Sequence, residues 1–223
     1  KFPGVSVLRL DSDVAHTAAN HRRLLDQFSR GDANVLVGTQ MITKGLHFPN
    51  VTLVGVMSAD IGLNIPDFRS SERVFQLLCQ VAGRAGRGES EGSVVVQTYQ
   101  PDNYAIRTAA AQDYQSFYSH EINYRREQGN PPFNKLVRLL YSNTNQSRSE
   151  LEAERLANLL KLERDASGHS DIDVLGPTPA LLSKLRGRYR WQLLLRGTSP
   201  RTLLDRVIIP NTWTIDIDPV SLI

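Results

Sequence analysis

The chain has 223 residues, 40% of them hydrophobic and 22% charged, with a net charge of +3. Those proportions are ordinary for a globular protein and exclude general disorder. No apolar run approaches the ~20 residues of a membrane-spanning helix, and a single cysteine, Cys79, excludes a disulfide framework or a cysteine-rich zinc site within these residues.

The start, Lys1-Phe2-Pro3-Gly4, carries neither a secretory core nor an initiator methionine, so the expectation is a fragment of a longer, cytoplasmic chain. Basic and acidic residues balance over residues 1–130, with 13 of each, whereas residues 131–223 hold 13 basic and 10 acidic. An excess this small does not by itself imply a nucleic-acid partner.

Residues 5–10 (VSVLRL) read as a strand, and 16–30 as a helix closed by Gly31. Residues 35–37 read as a short buried strand and 51–57 as a third strand, followed by an amphipathic helix over 71–82 and a strand over 93–98. Cys79 falls on the apolar face of that helix as a buried, inert thiol. Strands separated by helices predict a parallel sheet with helices on its faces, and ligands on such sheets bind at the strands' carboxyl ends.

Residues 102–129 have a helical pattern, in which Tyr104, Tyr114, Phe117, Tyr118 and Tyr124 read as packing residues rather than a base-stacking platform. Asn130-Pro131-Pro132 then breaks the chain. The predicted organisation is therefore a lobe over 1–101, a helical connector over 102–130 and a second domain over 131–223. That domain reads as a strand over 135–141 and a helix over 149–166, with Leu151, Leu156, Leu159, Leu160 and Leu162 as its apolar side. A short strand over 172–175, a hairpin over 181–195 turning near Gly187, a helix over 200–207 and a strand over 212–217 complete it. The order is that of a split βαβ unit. The fold class expected is α/β: a parallel-sheet lobe followed by a small α+β domain.

The most informative stretch is QVAGRAGRG, residues 80–88. Gly83 and Gly86 precede Arg84 and Arg87 where the 71–82 helix runs out. Glycine lets backbone approach a ligand closely, and two guanidiniums there fit a polyphosphate. Alone, the string equally fits a glycine-punctuated turn with solvated arginines. Upstream, Thr39 and Gln40 follow the carboxyl end of the 35–37 strand, and Lys44-Gly45 comes next. A hydroxyl, an amide and backbone N–H groups at that position can meet a phosphate, the alternative being a plain connection with a solvated lysine.

Farther along, Lys184, Arg186, Arg188, Arg190 and Arg196 share one parity, and Leu185, Tyr189, Trp191, Leu193 and Leu195 the other. If the turn keeps register, the hairpin has one basic and one apolar face. The basic face is either solvated or a phosphate-binding surface.

Taken together, the strings resemble the second RecA-like lobe of superfamily 2 helicases, residues 35–50 matching the fifth helicase motif and 80–87 the sixth, QxxGRxGR. DIGLNIPDFRSSER (60–73), NPPF (130–133) and VLGPTPALLSKLRGRYRWQLLLRG (174–197) are similar to the PriA family of primosomal helicases, a resemblance running through essentially the whole chain. It implies the carboxyl-terminal part of an ATP-dependent 3′-to-5′ DNA helicase that restarts stalled replication forks. Arg87 then becomes the arginine finger, Arg84 and Gln80 line the same cleft, Gly45 and Gly83 lie near nucleotide, and Thr39, Gln40 and Lys44 touch the DNA strand. ATP and Mg are held mainly by a first lobe outside these residues, which contain neither GxxxxGK[ST] nor a DExH sequence. No metal ligand is expected here, since the family's zinc-binding cysteines lie upstream.

The resemblance raises the DNA reading of Lys184, Arg186, Arg188 and Arg190. It implies branched or single-stranded DNA, the acidic tail of single-stranded-DNA-binding protein (met by Arg201) and other primosome proteins as partners. Ser58 stands where the family commonly has an acidic residue, and Gly45-Leu46-His47 where Gly-His-His is common, leaving His47 as a packing or capping residue. Asp60 either orients the motif backbone or ends a strand. In DFRSSER, Asp67 and Arg69 read as caps and Glu72 with Arg73 as exposed. The competing expectations are a non-catalytic nucleic-acid or protein-binding module, and another helicase family with a similar second lobe.

Overall fold

A computed structural model describes residues 3–10, 17–39, 48, 50–83 and 92–222. The chain divides into two units, Lys1–Ile61 with Arg73–Asp113, and Gly62–Glu72 with Tyr114–Ile223.

In the first unit, β1 (Val7–Leu10) pairs parallel with β2 (Val35–Gly38), from Val7↔Val35 to Leu10↔Gly38. Helix α1 (Ala18–Ser29) connects them and starts where the Thr17 hydroxyl oxygen accepts the Asn20 N–H at 3.2 Å. Strand β3 (Leu53–Val56) pairs parallel with β4 (Ser93–Val96). The parallel pairing predicted from strand–helix alternation is thus present, as two two-stranded sheets among the described residues. After β3 comes a single helical turn, α2 (Asp60–Leu63), which the sequence pattern does not announce. Helix α3 (Ser70–Ala82), whose first three residues belong to the second unit, buries Val74, Phe75, Leu78 and Val81, the stripe a 3.6-residue period demands. Cys79 is half-buried rather than buried, and that burial still pushes its thiol pKa up, away from reactivity.

The 102–129 pattern resolves into α4 (Tyr104–Ala110) and α5 (Tyr114–Glu127). Between them, Gln112 adopts a left-handed φ of 53° and interrupts the helix. Of the aromatics expected to pack in α5, only Phe117 is buried, whereas Tyr114, Tyr118 and Tyr124 are exposed.

The second unit is built on a sheet of order β6-β7-β5-β8, comprising β5 (Lys135–Asn143), β6 (Asp173–Leu185), β7 (Arg188–Gly197) and β8 (Trp213–Ile217). Strands β5 and β6 both run antiparallel to β7, hence parallel to each other, with β7 inserted between them. Their connection is α6 (Gln146–Ser167), which starts at Asn145, whose side chain accepts the Arg148 N–H at 2.9 Å, and ends on left-handed Gly168. The core is Val137, Leu139 and Tyr141 from β5, Leu193 and Leu195 from β7, Trp213 from β8, and Ala153, Leu156, Ala157 and Leu160 from α6.

Three expectations change in this unit. The predicted strand over 172–175 and the first arm of the hairpin are one strand, β6, interrupted by register shifts after Leu175 and after Pro179. The first shift is at Gly176, where φ is 97° and an added Cβ would lie 3.0 Å from the Gln192 carbonyl oxygen. Of the predicted apolar side of α6, Leu156 and Leu160 are buried, but Leu151, Leu159 and Leu162 face away and are exposed. Finally, the predicted 200–207 helix shortens to α7 (Arg201–Leu204), because Arg206 and Val207 donate to carbonyls only three residues back, which tightens the chain out of the α-helix.

Candidate functional site

Of the residues singled out in the first unit, Arg84, Arg87, Gln40, Lys44, Gly45 and His47 lie outside the described residues. Thr39 is exposed immediately after β2, at the carboxyl end where ligands meet parallel strands. Gln80 is half-buried in the last turn of α3. Gly83 donates its N–H to the Cys79 carbonyl at 3.1 Å, so that N–H completes the helix and is not available to a ligand.

Asp60 has a defined role in this unit. Its carboxylate, 7% exposed, accepts the Thr98 hydroxyl at 2.9 Å and the Tyr99 N–H at 3.1 and 3.2 Å. Together with Ala59 N–H to the Gln97 carbonyl and Gln97 N–H to the Val56 carbonyl, it prolongs the β3–β4 pairing past the last ladder residues. Both sequence alternatives for Asp60 reduce to one: it fixes the backbone at a strand's carboxyl end. The adjacent Ser58 has φ 145°, a conformation side-chain-bearing residues rarely adopt, and these bonds hold it in place.

The DFRSSER segment behaves differently from its sequence reading. Asp67 does cap, accepting the Arg69 N–H at 2.9 Å, but its other oxygen accepts the Leu222 N–H at 2.9 Å and the Ser221 hydroxyl at 3.0 Å. Glu72 is not exposed. It accepts two bonds from Arg69, the shorter 2.8 Å, and one from Arg125 on α5 at 2.7 Å, while Arg125 also donates to Glu121 at 2.6 Å. The bonds from Arg69, and then Arg125, outweigh burial and hold the Glu72 carboxyl at a pKa of about 2. Nothing in the sequence signals this network, because Glu72 and Arg125 are 53 residues apart. It borders an open groove of about 520 Å³ lined by Phe68, Tyr118, Ile122, Pro132 and Leu136.

The basic hairpin turns at Arg186 and Gly187, with φ of 48° and 77°, and Leu185 pairs with Arg188. A two-residue turn of this kind reverses the parity rule, since residues 185 and 188 share a face. Lys184 therefore pairs with Tyr189 and lies on the opposite face from Arg188 and Arg190. Its ammonium sits 4.7 Å from the Tyr189 ring centroid and 3.3 Å from its hydroxyl. The expected single basic face is corrected accordingly. Arg188 donates to the Ser142 carbonyl at 2.8 Å, and Arg190 to the Leu182 carbonyl at 3.4 Å. Arg196 is structural, joining Asp173 at 2.8 Å and the Gln128 carbonyl at 2.7 Å.

A cation the sequence reading missed, Arg138, lies on the same face as Arg190. It is 7% exposed and donates to the Gln192 side chain at 3.1 Å. Burial, then the Arg190 charge, lowers its pKa from the usual arginine value. Its β5 position between two buried valine and leucine neighbours disguised it. Arg201 is exposed at the start of α7. Among the described residues no group of three or more His, Cys, Asp or Glu is placed to hold a metal ion, and no helix is long and apolar enough to cross a membrane.

Residues 1–89 match the helicase conserved C-terminal domain family, and residues 126–220 the primosomal protein N C-terminal domain family. The chain is 45% identical over 210 residues to replication restart protein PriA of Bacillus subtilis (strain 168), covering 93% of this chain and 26% of that protein. It is 42% identical to the Synechocystis counterpart, covering 100% of the chain and 27% of that protein, and 40% identical to the Chlamydia pneumoniae counterpart, covering 99% and 30%. The chain thus spans between a quarter and a third of the length of these relatives. With a helicase C-terminal domain followed by the primosomal C-terminal domain, and similarity to these relatives extending through nearly the whole chain, the chain belongs to the PriA family and corresponds to its carboxyl-terminal part.

Proposed function

We propose that this chain supplies the second, RecA-like motor lobe and the C-terminal domain of a cytoplasmic, ATP-dependent 3′-to-5′ DNA helicase that remodels stalled forks and restarts replication. The observation that carries the reading is the order of the two family matches in one chain, helicase first and primosomal second. The proposed boundaries are a lobe over 1–101, a connector over 102–130 and a split βαβ domain over 131–223.

In this reading Arg87 is the arginine finger and Arg84 its partner at the same phosphates, with Gln80, Gly83 and Gly45 lining the nucleotide. A guanidinium aimed at a transferring phosphoryl group stabilises its charge, which is worth ~10³ or more in rate in related nucleoside triphosphatases. The half-buried Gln80 in the last turn of α3 suits this assignment, lying four residues before Arg84 in the sequence. ATP with Mg supplies the phosphoryl group whose hydrolysis drives the motor, and a P-loop lobe outside these residues holds most of it. Thr39, Gln40 and Lys44 grip the tracking strand, and Asp60 holds the neighbouring strand ends rigid.

In the second unit, Arg186, Arg188 and Arg190 contact phosphates of branched or single-stranded DNA. Lys184, on the other face, does not join them. Arg201 meets the acidic tail of single-stranded-DNA-binding protein, and other primosome proteins complete the partners. The test is the complete gene product with ATP and a 3′-tailed duplex. DNA-stimulated hydrolysis with strand separation supports the motor, whereas DNA binding without hydrolysis makes these residues a non-catalytic binding module.

A further inference from the structure

The face of β7 that carries Arg188 and Arg190 also gathers two neutral polar side chains. Arg190 lies directly opposite Ser142 of β5, and Gln192, two residues on, shares its face. Arg188 reaches the same place: its Nε lies 3.3 Å from the Ser142 hydroxyl oxygen and its Nη2 2.8 Å from the Ser142 carbonyl oxygen. The buried Arg138 donates its Nε to the Gln192 side-chain oxygen at 3.1 Å.

A guanidinium has five N–H donors and no acceptor. The bond from Arg138 therefore fixes which way the Gln192 amide is turned: its oxygen is engaged, and its NH2 group is what it offers to a ligand. The bond from Arg188 does the same to Ser142, whose hydroxyl oxygen accepts and keeps its own hydrogen to donate. Two side chains that ordinarily both accept and donate thus become donors on either side of Arg190. Arg190 itself makes one long bond, 3.4 Å to the Leu182 carbonyl. Neither Arg188 nor Arg190 is ion-paired among the described residues, unlike Arg196 on the same strand, which holds Asp173 at 2.8 Å. The charge balance has the same sense. Asp216, opposite Arg138 on β8, and Asp67 do not offset burial and the Arg190 charge at Arg138. Ser142, Arg190 and Gln192 are all half-buried, which strengthens the field at the patch.

We propose that Ser142, Arg188, Arg190 and Gln192 form a site for one phosphate of a DNA backbone, with Arg138 as the positioning residue that sets the Gln192 amide. This rests on the DNA reading of the hairpin and adds three residues that its charge pattern does not name: Arg138, Ser142 and Gln192. Phosphate oxygens only accept, so a patch built of donors fits them wherever they fall along a sequence. The competing ligand is a guanine edge, which also presents acceptors alone in the major groove.

Anisotropy titrations of a labelled oligothymidine with the complete gene product, at several salt concentrations, test this. Gln192→Glu keeps an oxygen for Arg138 but replaces the NH2 donor with an anionic acceptor. Affinity falls about tenfold while the melting temperature does not drop. Ser142→Ala lowers affinity roughly threefold and leaves the salt slope unchanged, since no cation is removed. Arg138→Leu costs about threefold in the wild-type background and nothing further beside Gln192→Leu, whereas a merely structural Arg138 gives the same loss in both. If Gln192→Glu and Ser142→Ala stay within about twofold of wild type while Arg188→Glu and Arg190→Glu weaken binding, the arginines act alone and this site is refuted, with the DNA reading intact. If Arg188→Glu and Arg190→Glu also change nothing, both fall together. Losses seen with a guanine-containing strand but not with oligothymidine overturn the phosphate assignment in favour of a base contact.

Discussion

Replacing Glu72 by glutamine tests the network that organises the second unit. The carboxylate, 20% exposed, accepts bonds of 2.8 Å from Arg69 and 2.7 Å from Arg125. Each charge-assisted bond of this kind is worth ~1.5–3 kcal/mol net. Glutamine keeps one acceptor oxygen, and Arg125 keeps Glu121 at 2.6 Å, so the loss falls well short of the sum. Glu72→Gln is therefore expected to destabilise the unit by roughly 2 kcal/mol, or ~5–8 °C in melting temperature for a domain of this size. Trp191 and Trp213, the chain's two tryptophans, both lie in this unit, so their fluorescence during urea unfolding reports on it alone. The effect also carries a pH signature. Folding lowers the Glu72 pKa from 4.5 to about 2, so the folded state favours the ionised form. The stabilisation is complete above about 4.5 and disappears as pH falls toward about 2. The gap between wild type and Glu72→Gln must narrow over that window. A gap under about 0.5 kcal/mol at neutral pH, or one that does not change with pH, refutes the reasoning.

Gly197→Ala places a Cβ 2.7 Å from the Asp171 carbonyl oxygen, a backbone atom, and is expected to cost ~2–3 kcal/mol by the same unfolding assay. Asp60→Ala removes the acceptor for Thr98 and Tyr99 and should destabilise the first unit by ~2 kcal/mol, with faster hydrogen exchange at the Tyr99 amide as the local readout. In DNA titrations at several salt concentrations, Arg188→Glu and Arg190→Glu each reduce the salt slope by about 1, while Lys184→Glu leaves it unchanged. Equal effects at all three positions contradict the two-face assignment.

The strand–helix alternation of the first unit was legible because each strand is a short apolar run and each helix a periodic one, as in Val74, Phe75, Leu78 and Val81. The βαβ order of the second unit was legible for the same reason. What misled was local chemistry with two solutions. Parity along the hairpin was carried straight through Arg186-Gly187, but a two-residue turn pairs 185 with 188 and sends Lys184 to the far face. Leucine content marked α6 as amphipathic, yet its buried side is built as much from Ala153 and Ala157, and Leu151 and Leu162 point outward. Glu72 looked like a solvated helix residue because the Arg125 that neutralises it is remote in sequence. Asp60 was found by its motif, but its partners Thr98 and Tyr99 become neighbours only when β3 and β4 pair.

The measurement that bears most directly on the motor assignment is steady-state ATP hydrolysis by the complete gene product carrying Arg87→Ala, with and without DNA. If Arg87 stabilises the transferring phosphoryl group, DNA-stimulated turnover falls ~10³-fold while DNA affinity at matched salt is retained. Turnover within a few-fold of wild type would place the nucleotide chemistry elsewhere and contradict the account.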